Sequence, residues 1–237
     1  MQAVIPAAGA GTRVAALTRE APKSLLEING RRLIEHIILA ARTAGVRDFV
    51  IVTGYQPDAI PAALGNGRDL GVAIEYCHNP RWQDLANGYS ILTAAPLLDA
   101  AFIILMSDHL FEPTLLETLL AATPPAGGCR LLTDPRIDEV FDLDDATKVR
   151  SDSRGKILEM GKNLSTYDRL DTGLFHSTKG LIDSIRAGIA KGESSLTFGN
   201  NALATKGLMQ AVDLGDGAWL DVDTPESIAK AAEFPGL

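Results

Sequence analysis

The residues with the clearest chemical potential stand near the start of the chain, in Ala7-Ala8-Gly9-Ala10-Gly11-Thr12-Arg13, with Pro22-Lys23-Ser24-Leu25 a short way on. Small residues directly after an apolar run let backbone N–H groups approach a polyphosphate. Arg13 and Lys23 then supply neutralising charge, arginine as a planar fork and lysine as a mobile point charge. Gly-x-Gly alone also describes an ordinary strand-to-helix turn, and the two common phosphate fingerprints do not fit. Val14 stands where a dinucleotide-binding loop has its third glycine, and Lys23-Ser24 follows proline rather than the glycine of a P-loop.

Acidic residues form a second group. Ser107-Asp108-His109 closes the apolar run 102–106, at the strand end where a substrate-facing carboxylate would stand, and Trp219-Leu220-Asp221-Val222-Asp223-Thr224-Pro225-Glu226 concentrates further acids late in the chain. A lone Asp at a strand end more often makes a turn or caps a helix, and Asp223 is placed to cap the helix that follows it. Between the two groups lie Asn87-Gly88-Tyr89-Ser90, Lys148, Lys162 and Asp171-Thr172-Gly173. Asn87 and Ser90 also suit a helix start, and single lysines are usually solvated. His36, His78, His109 and His176 show neither metal-ligand spacing nor a Gly-x-Ser-x-Gly nucleophile, so they read as structural, with His109 the one to watch beside Asp108.

The elements that must position these residues are legible in outline. Apolar runs at 3–5, 49–53, 73–76 and 102–106 read as buried strands, too short for helices and rich in Val and Ile. Residues 33–44 carry Leu33, Ile34, Ile37, Ile38 and Ala41 at helical spacing, with Gly45 as a stop. Pro113 opens a second helix with Leu115, Leu116, Leu119 and Leu120 inward. The alternation predicts an α/β fold with a mostly parallel, mixed sheet, helices on both faces and ligands at the carboxyl ends of the strands. Farther on, 123–128 reads as a loop and 131–145 as turns with short antiparallel strands. Strands are expected at 157–160 and 173–176, and helices at 181–190 and 226–233.

Composition narrows the classes. The 237 residues are 46% hydrophobic, without an internal repeat, which fits one domain over 1–237. With 22 Lys+Arg against 30 Asp+Glu the net charge is -8, which opposes general binding of a nucleic-acid backbone. Cys77 and Cys129 stand far apart, so neither a disulfide framework nor a zinc site is expected. The first residues lack a secretory pattern, and no apolar run approaches the roughly 18 residues of a membrane span. The expectation is a cytoplasmic protein without membrane insertion.

The full combination resembles the nucleotidyltransferase family that makes nucleotide sugars and CDP-alcohols, with its Ala-Ala-Gly-x-Gly-Thr/Ser-Arg signature followed by Pro-Lys. The resemblance implies a Rossmann-like fold in which Ala7, Ala8, Gly9, Gly11 and Thr12 hold the triphosphate, with Arg13 and Lys23 as catalytic cations. It makes Asp108 and Asp221 ligands of Mg²⁺, with Asp223 either a third ligand or a helix cap, although Ser107 departs from the family's Gly-Asp. Asn87, Gly88 and Ser90 resemble the base-reading segment of cytidylyltransferases. Lys148 and Lys162 are implied to meet the acceptor phosphate, and Asp171 and Thr172 its hydroxyls. Asp145-Ala146-Thr147-Lys148-Val149 and Asp221-Val222-Asp223-Thr224-Pro225 resemble the inositol-1-phosphate cytidylyltransferase branch.

That branch implies transfer of CMP from CTP to a phosphorylated small alcohol, inositol 1-phosphate before phosphocholine, with Mg²⁺ as cofactor. Two alternatives stay open: a UTP-, dTTP- or GTP-dependent enzyme acting on a sugar 1-phosphate, and a silent regulatory module that binds nucleotide sugars. The second is expected to lack the lysine or a metal carboxylate, and Lys23, Asp108 and Asp221 are all present.

Overall fold

The computed structural model describes residues 1–14, 21–140 and 142–236. The chain begins with β1 (Gln2–Pro6), a short hairpin of β2 (Glu27–Ile28) and β3 (Arg31–Arg32), α1 (Leu33–Thr43) and β4 (Asp48–Thr53). It continues through α2 (Ala59–Leu64), β5 (Ala73–His78), α3 (Asn87–Ala94), β6 (Ala101–Leu105), β7 (His109–Phe111) and α4 (Pro113–Leu120). Next come β8 (Cys129–Asp134), β9 (Lys148–Ser151), β10 (Ile157–Gly161), β11 (Arg169–Thr178), α5 (Lys179–Ile189) and α6 (Leu196–Thr205). The last elements are β12 (Met209–Asp213), β13 (Trp219–Asp221) and α7 (Pro225–Ala231).

The four apolar runs of the first half become the parallel part of the main sheet, in the order β6-β1-β4-β5. Successive side chains on a strand point to opposite faces, so each strand feeds two cores. Ala3, Ile5, Phe49, Ile51, Ile103 and Leu105 pack with α1 and α4 on one side. Val4, Val50, Val52, Phe102 and Ile104 pack with α3, α5 and α6 on the other. Gly45, at φ +94°, ends α1 in a conformation that L side chains rarely adopt.

Beyond β6 the sheet changes direction, because β11 runs antiparallel to β6, to β8 and to β9. Residues 131–134, in the stretch expected to hold turns and short antiparallel strands, are strand; β8 pairs antiparallel with β11 and, unlike the expectation, in parallel with β12. Helix α6 was absent from the sequence reading, since Gly199, Asn200 and Asn201 are weak helix formers. Ser195 caps it by accepting a hydrogen bond from the Phe198 N–H, and Gly199 lets it approach Ile185 of α5 closely. Among the described residues no helix is long and apolar enough to cross a membrane.

Candidate active site

The acidic residues are gathered by a two-stranded antiparallel ribbon, β7 with β13, separate from the main sheet. Its register sets Asp221 opposite His109, and the Val222 N–H donates to the Asp108 carbonyl at 2.9 Å. Ligand atoms of Asp108, His109 and Asp221 lie within 4.8 Å of one another, as do those of Asp145, Asp221 and Asp223. Asp108 Oδ1 and Asp221 Oδ1 are buried without a hydrogen-bond partner among the described residues. Orphaned carboxylate oxygens on two acids of such a cluster fit a hard divalent cation, which takes oxygen ligands and completes its shell with phosphate or water.

His109 is wedged between these acids. Its Nδ1 lies 2.8 Å from the Thr172 carbonyl, its Nε2 is 3.6 Å from Asp221 and 3.7 Å from Asp108, and its ring stacks on Trp219 at 5.6 Å. Burial opposes a charged ring, but the nearby charges of Asp221 and Asp108, with the Thr172 carbonyl, together hold its pKa up to about 10. The two carboxylates therefore favour the protonated ring in the free chain.

The expected cations reach the same place. Lys23 Nζ lies 2.6 Å from Asp108 Oδ2. Gly11, at φ +63°, makes room for that lysine, since a Cβ there would fall 2.4 Å from Lys23 Cβ. Arg13 forks between Asp145, at 2.9 Å, and Asp223, at 2.5 Å, and Lys162 pairs with the second oxygen of Asp145. The hydrogen bond from Lys162, then Arg13, outweigh the effect of burial and hold the Asp145 carboxyl down at about 2. Asp223 is buried, and burial with the charge of Asp221 pushes its pKa upward. It does not cap α7: Thr224 does, accepting from the Ser227 N–H at 3.1 Å, which leaves the Asp223 carboxylate to Arg13.

These groups open into a cavity of about 540 Å³. Of the residues expected from sequence it is lined by Arg13, Asn87, Asp108, Lys162, Asp171, Asp221 and Asp223. Burial pushes the Asp171 carboxyl up to about 6, although its Oδ1 accepts a hydrogen bond from the Gly173 N–H. Asp145 and Trp219, both in segments the sequence singles out, also line the cavity, as do Asp134, Arg136 and Asn200, which were missed. Asp134 takes both Arg136 Nε, at 3.0 Å, and Trp219 Nε1, at 2.8 Å, so one wall is a closed polar network. The dense Asp content of 131–145 was the available signal, read there as turn chemistry.

Several other expected residues make contacts within the fold, and among them only Asn87 also lines the cavity. Lys148 is 7% exposed and donates to the Asp144 carbonyl; Thr172, fully buried, donates to the Leu132 carbonyl. Ser90 accepts from Asn79 Nδ2, and Gly88 sits against the Ser194–Leu196 backbone, where a Cβ would fall 2.6 Å from the Ser194 carbonyl. Asn87 Oδ1 accepts from the Leu196 N–H, capping α6 rather than only starting α3. Ala7 extends the sheet by donating to Val52, and Ala8 accepts from Tyr55, while Gly9 and Thr12 are exposed at the loop. For Lys148, Ser90, Thr172 and Asn87 the side chain takes a partner inside the fold, from four residues away for Lys148 to 109 for Asn87.

A bulge in β11 between Asp171 and Phe175 turns the strand at Gly173, which has φ +79°. A Cβ there would fall 2.4 Å from His109 Nδ1. Gly173→Ala is therefore expected to cost about 1–2 kcal/mol in backbone strain and a further 1–3 kcal/mol in displaced packing. Thermal unfolding checks it, with a Tm drop of roughly 5–15 °C expected for a chain of this size.

Residues 2–139 match the family described as Nucleotidyl transferase. The chain is 32% identical over 232 residues to a protein of Aquifex aeolicus named Bifunctional IPC transferase and DIPP synthase, covering 98% of this chain and 51% of that one. It thus spans about half the length of the first curated relatives it matches. A glucose-1-phosphate thymidylyltransferase of Neisseria gonorrhoeae is 26% identical over 243 residues, covering 99% of this chain and 82% of the relative. Among solved structures, the inositol-1-phosphate CTP transferase from T. maritima superposes with a TM-score of 0.84 at 26% identity, covering 98% of this chain and 96% of that one. With Arg13 and Lys23 brought onto carboxylates at the end of a parallel sheet, the chain belongs to the nucleotidyl transferase family.

Proposed function

We propose that this chain transfers CMP from CTP to inositol 1-phosphate with the help of Mg²⁺, giving CDP-inositol and pyrophosphate. The observation that carries the reading is the likeness, over 98% of this chain, to an inositol-1-phosphate CTP transferase, together with a cavity lined by both cations and carboxylates. Asp108 and Asp221, with Asp223 beside them, would hold the metal, whose chemistry is to offset charge on the phosphates. The reading no longer leans on Asn87-Gly88-Tyr89-Ser90, since Gly88 and Ser90 are packed inside. Free thiols at Cys77 and Cys129 fit a cytoplasmic setting.

The acceptor phosphate is largely dianionic at neutral pH, with a second pKa of about 6, so it attacks without a general base. An acceptor oxygen bonds to the α-phosphorus of CTP while the bond from that phosphorus to the bridging oxygen breaks, and the electron pair leaves with pyrophosphate. Lys162 draws in the acceptor phosphate. Arg13 and Lys23 exchange their carboxylate partners for phosphate oxygens and stabilise charge on the transferring group and leaving pyrophosphate.

A pyrophosphate-release assay crossing four nucleotides with a panel of phosphorylated alcohols and sugars tests the reading. CTP with inositol 1-phosphate is expected to give a kcat/KM about tenfold or more above UTP or dTTP, because a base edge left with unpaired groups costs about 1–3 kcal/mol. A higher value for a glucose 1-phosphate with dTTP or UTP would replace the proposal with the sugar-nucleotide reaction.

A further inference from the structure

Asn200 is 1% exposed, lines the cavity, and has neither a donor to its Oδ1 nor an acceptor for its Nδ2 among the described residues. A buried amide with both ends unpartnered is an unstable arrangement in the free protein, and a leucine of similar size would suit the place better. The cavity lining also includes the apolar Met106, Phe175 and Leu196, which offer the amide no side-chain partner. Such a point fixes orientation in a ligand site.

The neighbouring residue says which part of the cavity this is. Asn201 clamps the backbone of Met160, accepting from its N–H and donating to its carbonyl, each at 2.8 Å. That bolts α6 to β10 two residues before Lys162. Asn200 and the lysine assigned to the acceptor phosphate therefore belong to one rigid wall. Thr197, one turn earlier on the same face of α6, also lines the cavity.

We infer that Asn200 reads the ring hydroxyls of the acceptor and so selects a polyhydroxylated ring, whose phosphate Lys162 holds. The inference rests on the acceptor reading above and adds a residue the sequence did not single out. A carboxamide offers one acceptor and a donor pair, and a vicinal pair of hydroxyls both donates and accepts, so one ring edge satisfies both ends. A choline headgroup pairs neither end of the amide, and an aminoethyl headgroup, whose ammonium only donates, leaves the Nδ2 donors unpaired.

The test compares wild type with Asn200→Leu and Asn200→Ala, at saturating CTP and Mg²⁺, on inositol 1-phosphate and on cyclohexyl phosphate, the same ring without other hydroxyls. The ratio of kcat/KM for inositol 1-phosphate to that for cyclohexyl phosphate is expected to fall about 10- to 100-fold in both variants, with the KM for CTP unchanged. The Tm of free Asn200→Leu is expected to equal or exceed that of wild type, since an unpartnered amide is gone. If Asn200→Leu fails to fold, Asn200→Ala carries the ratio. An unchanged ratio in a folded variant overturns the inference, as does a Tm loss with equal loss on both acceptors, which marks a structural residue. Should wild type instead prefer a hexose 1-phosphate, the inositol reading fails while the same variants, read on that sugar, must still show the loss. A wild type active only on phosphocholine overturns both.

Discussion

Asp108→Asn and Asp221→Asn are each expected to lower kcat by roughly a hundred- to ten-thousand-fold while leaving the fold in place, and a chelator to abolish turnover of the wild type. Loss of one carboxylate from a cation that offsets phosphate charge removes several kcal/mol of transition-state stabilisation, and each 1.36 kcal/mol is a factor of about ten. The two oxygens left without partners, Asp108 Oδ1 and Asp221 Oδ1, are where the effect originates. Asparagine keeps the size of the side chain, so the β7–β13 register that sets Asp221 opposite His109 is retained. Steady-state rates against Mg²⁺ concentration, with circular dichroism to verify folding, decide the matter. Full activity of both variants at limiting Mg²⁺ would remove these residues from the metal site.

Lys23→Ala is the second large effect. In the free chain the ammonium rests 2.6 Å from Asp108, so nucleotide binding must replace that carboxylate by phosphate oxygens. This exchange makes lysine a modest ground-state anchor, because it gives up one anion to gain another. Charge building on the departing pyrophosphate then strengthens the new contact in the transition state. The expected result is a kcat loss of about a hundred- to a thousand-fold with a KM for CTP changed less than about fivefold, the size seen when one oriented donor to a developing oxyanion is removed. A change confined to KM would make Lys23 a binding residue. The Gly11 turn supports the same conclusion, since its positive φ and close approach hold the lysine stem in place.

Sequence alone determined the features whose physics is local. Four apolar runs had only one way to be buried, as strands fed from both faces by helices, and Gly45 and Pro113 marked helix ends through their own backbone constraints. The small-residue loop with Arg13 and Lys23, and the acids at the ends of an apolar run and of Trp219-Leu220, were legible for the same reason: chemistry and spacing were adjacent in the chain. Tertiary structure decided everything that depends on register between distant segments. The antiparallel entry of β11 buried Thr172 and Lys148 against carbonyls that no local pattern announces. Thr224 rather than Asp223 satisfied the last helix, so Asp223 became a partner of Arg13, more than two hundred residues away. Asp145 and Asn200 entered the cavity from segments that read as a turn-rich stretch and as no element at all, because a weak helix former such as Gly199 is stabilised by packing on Ile185, which only the folded chain supplies.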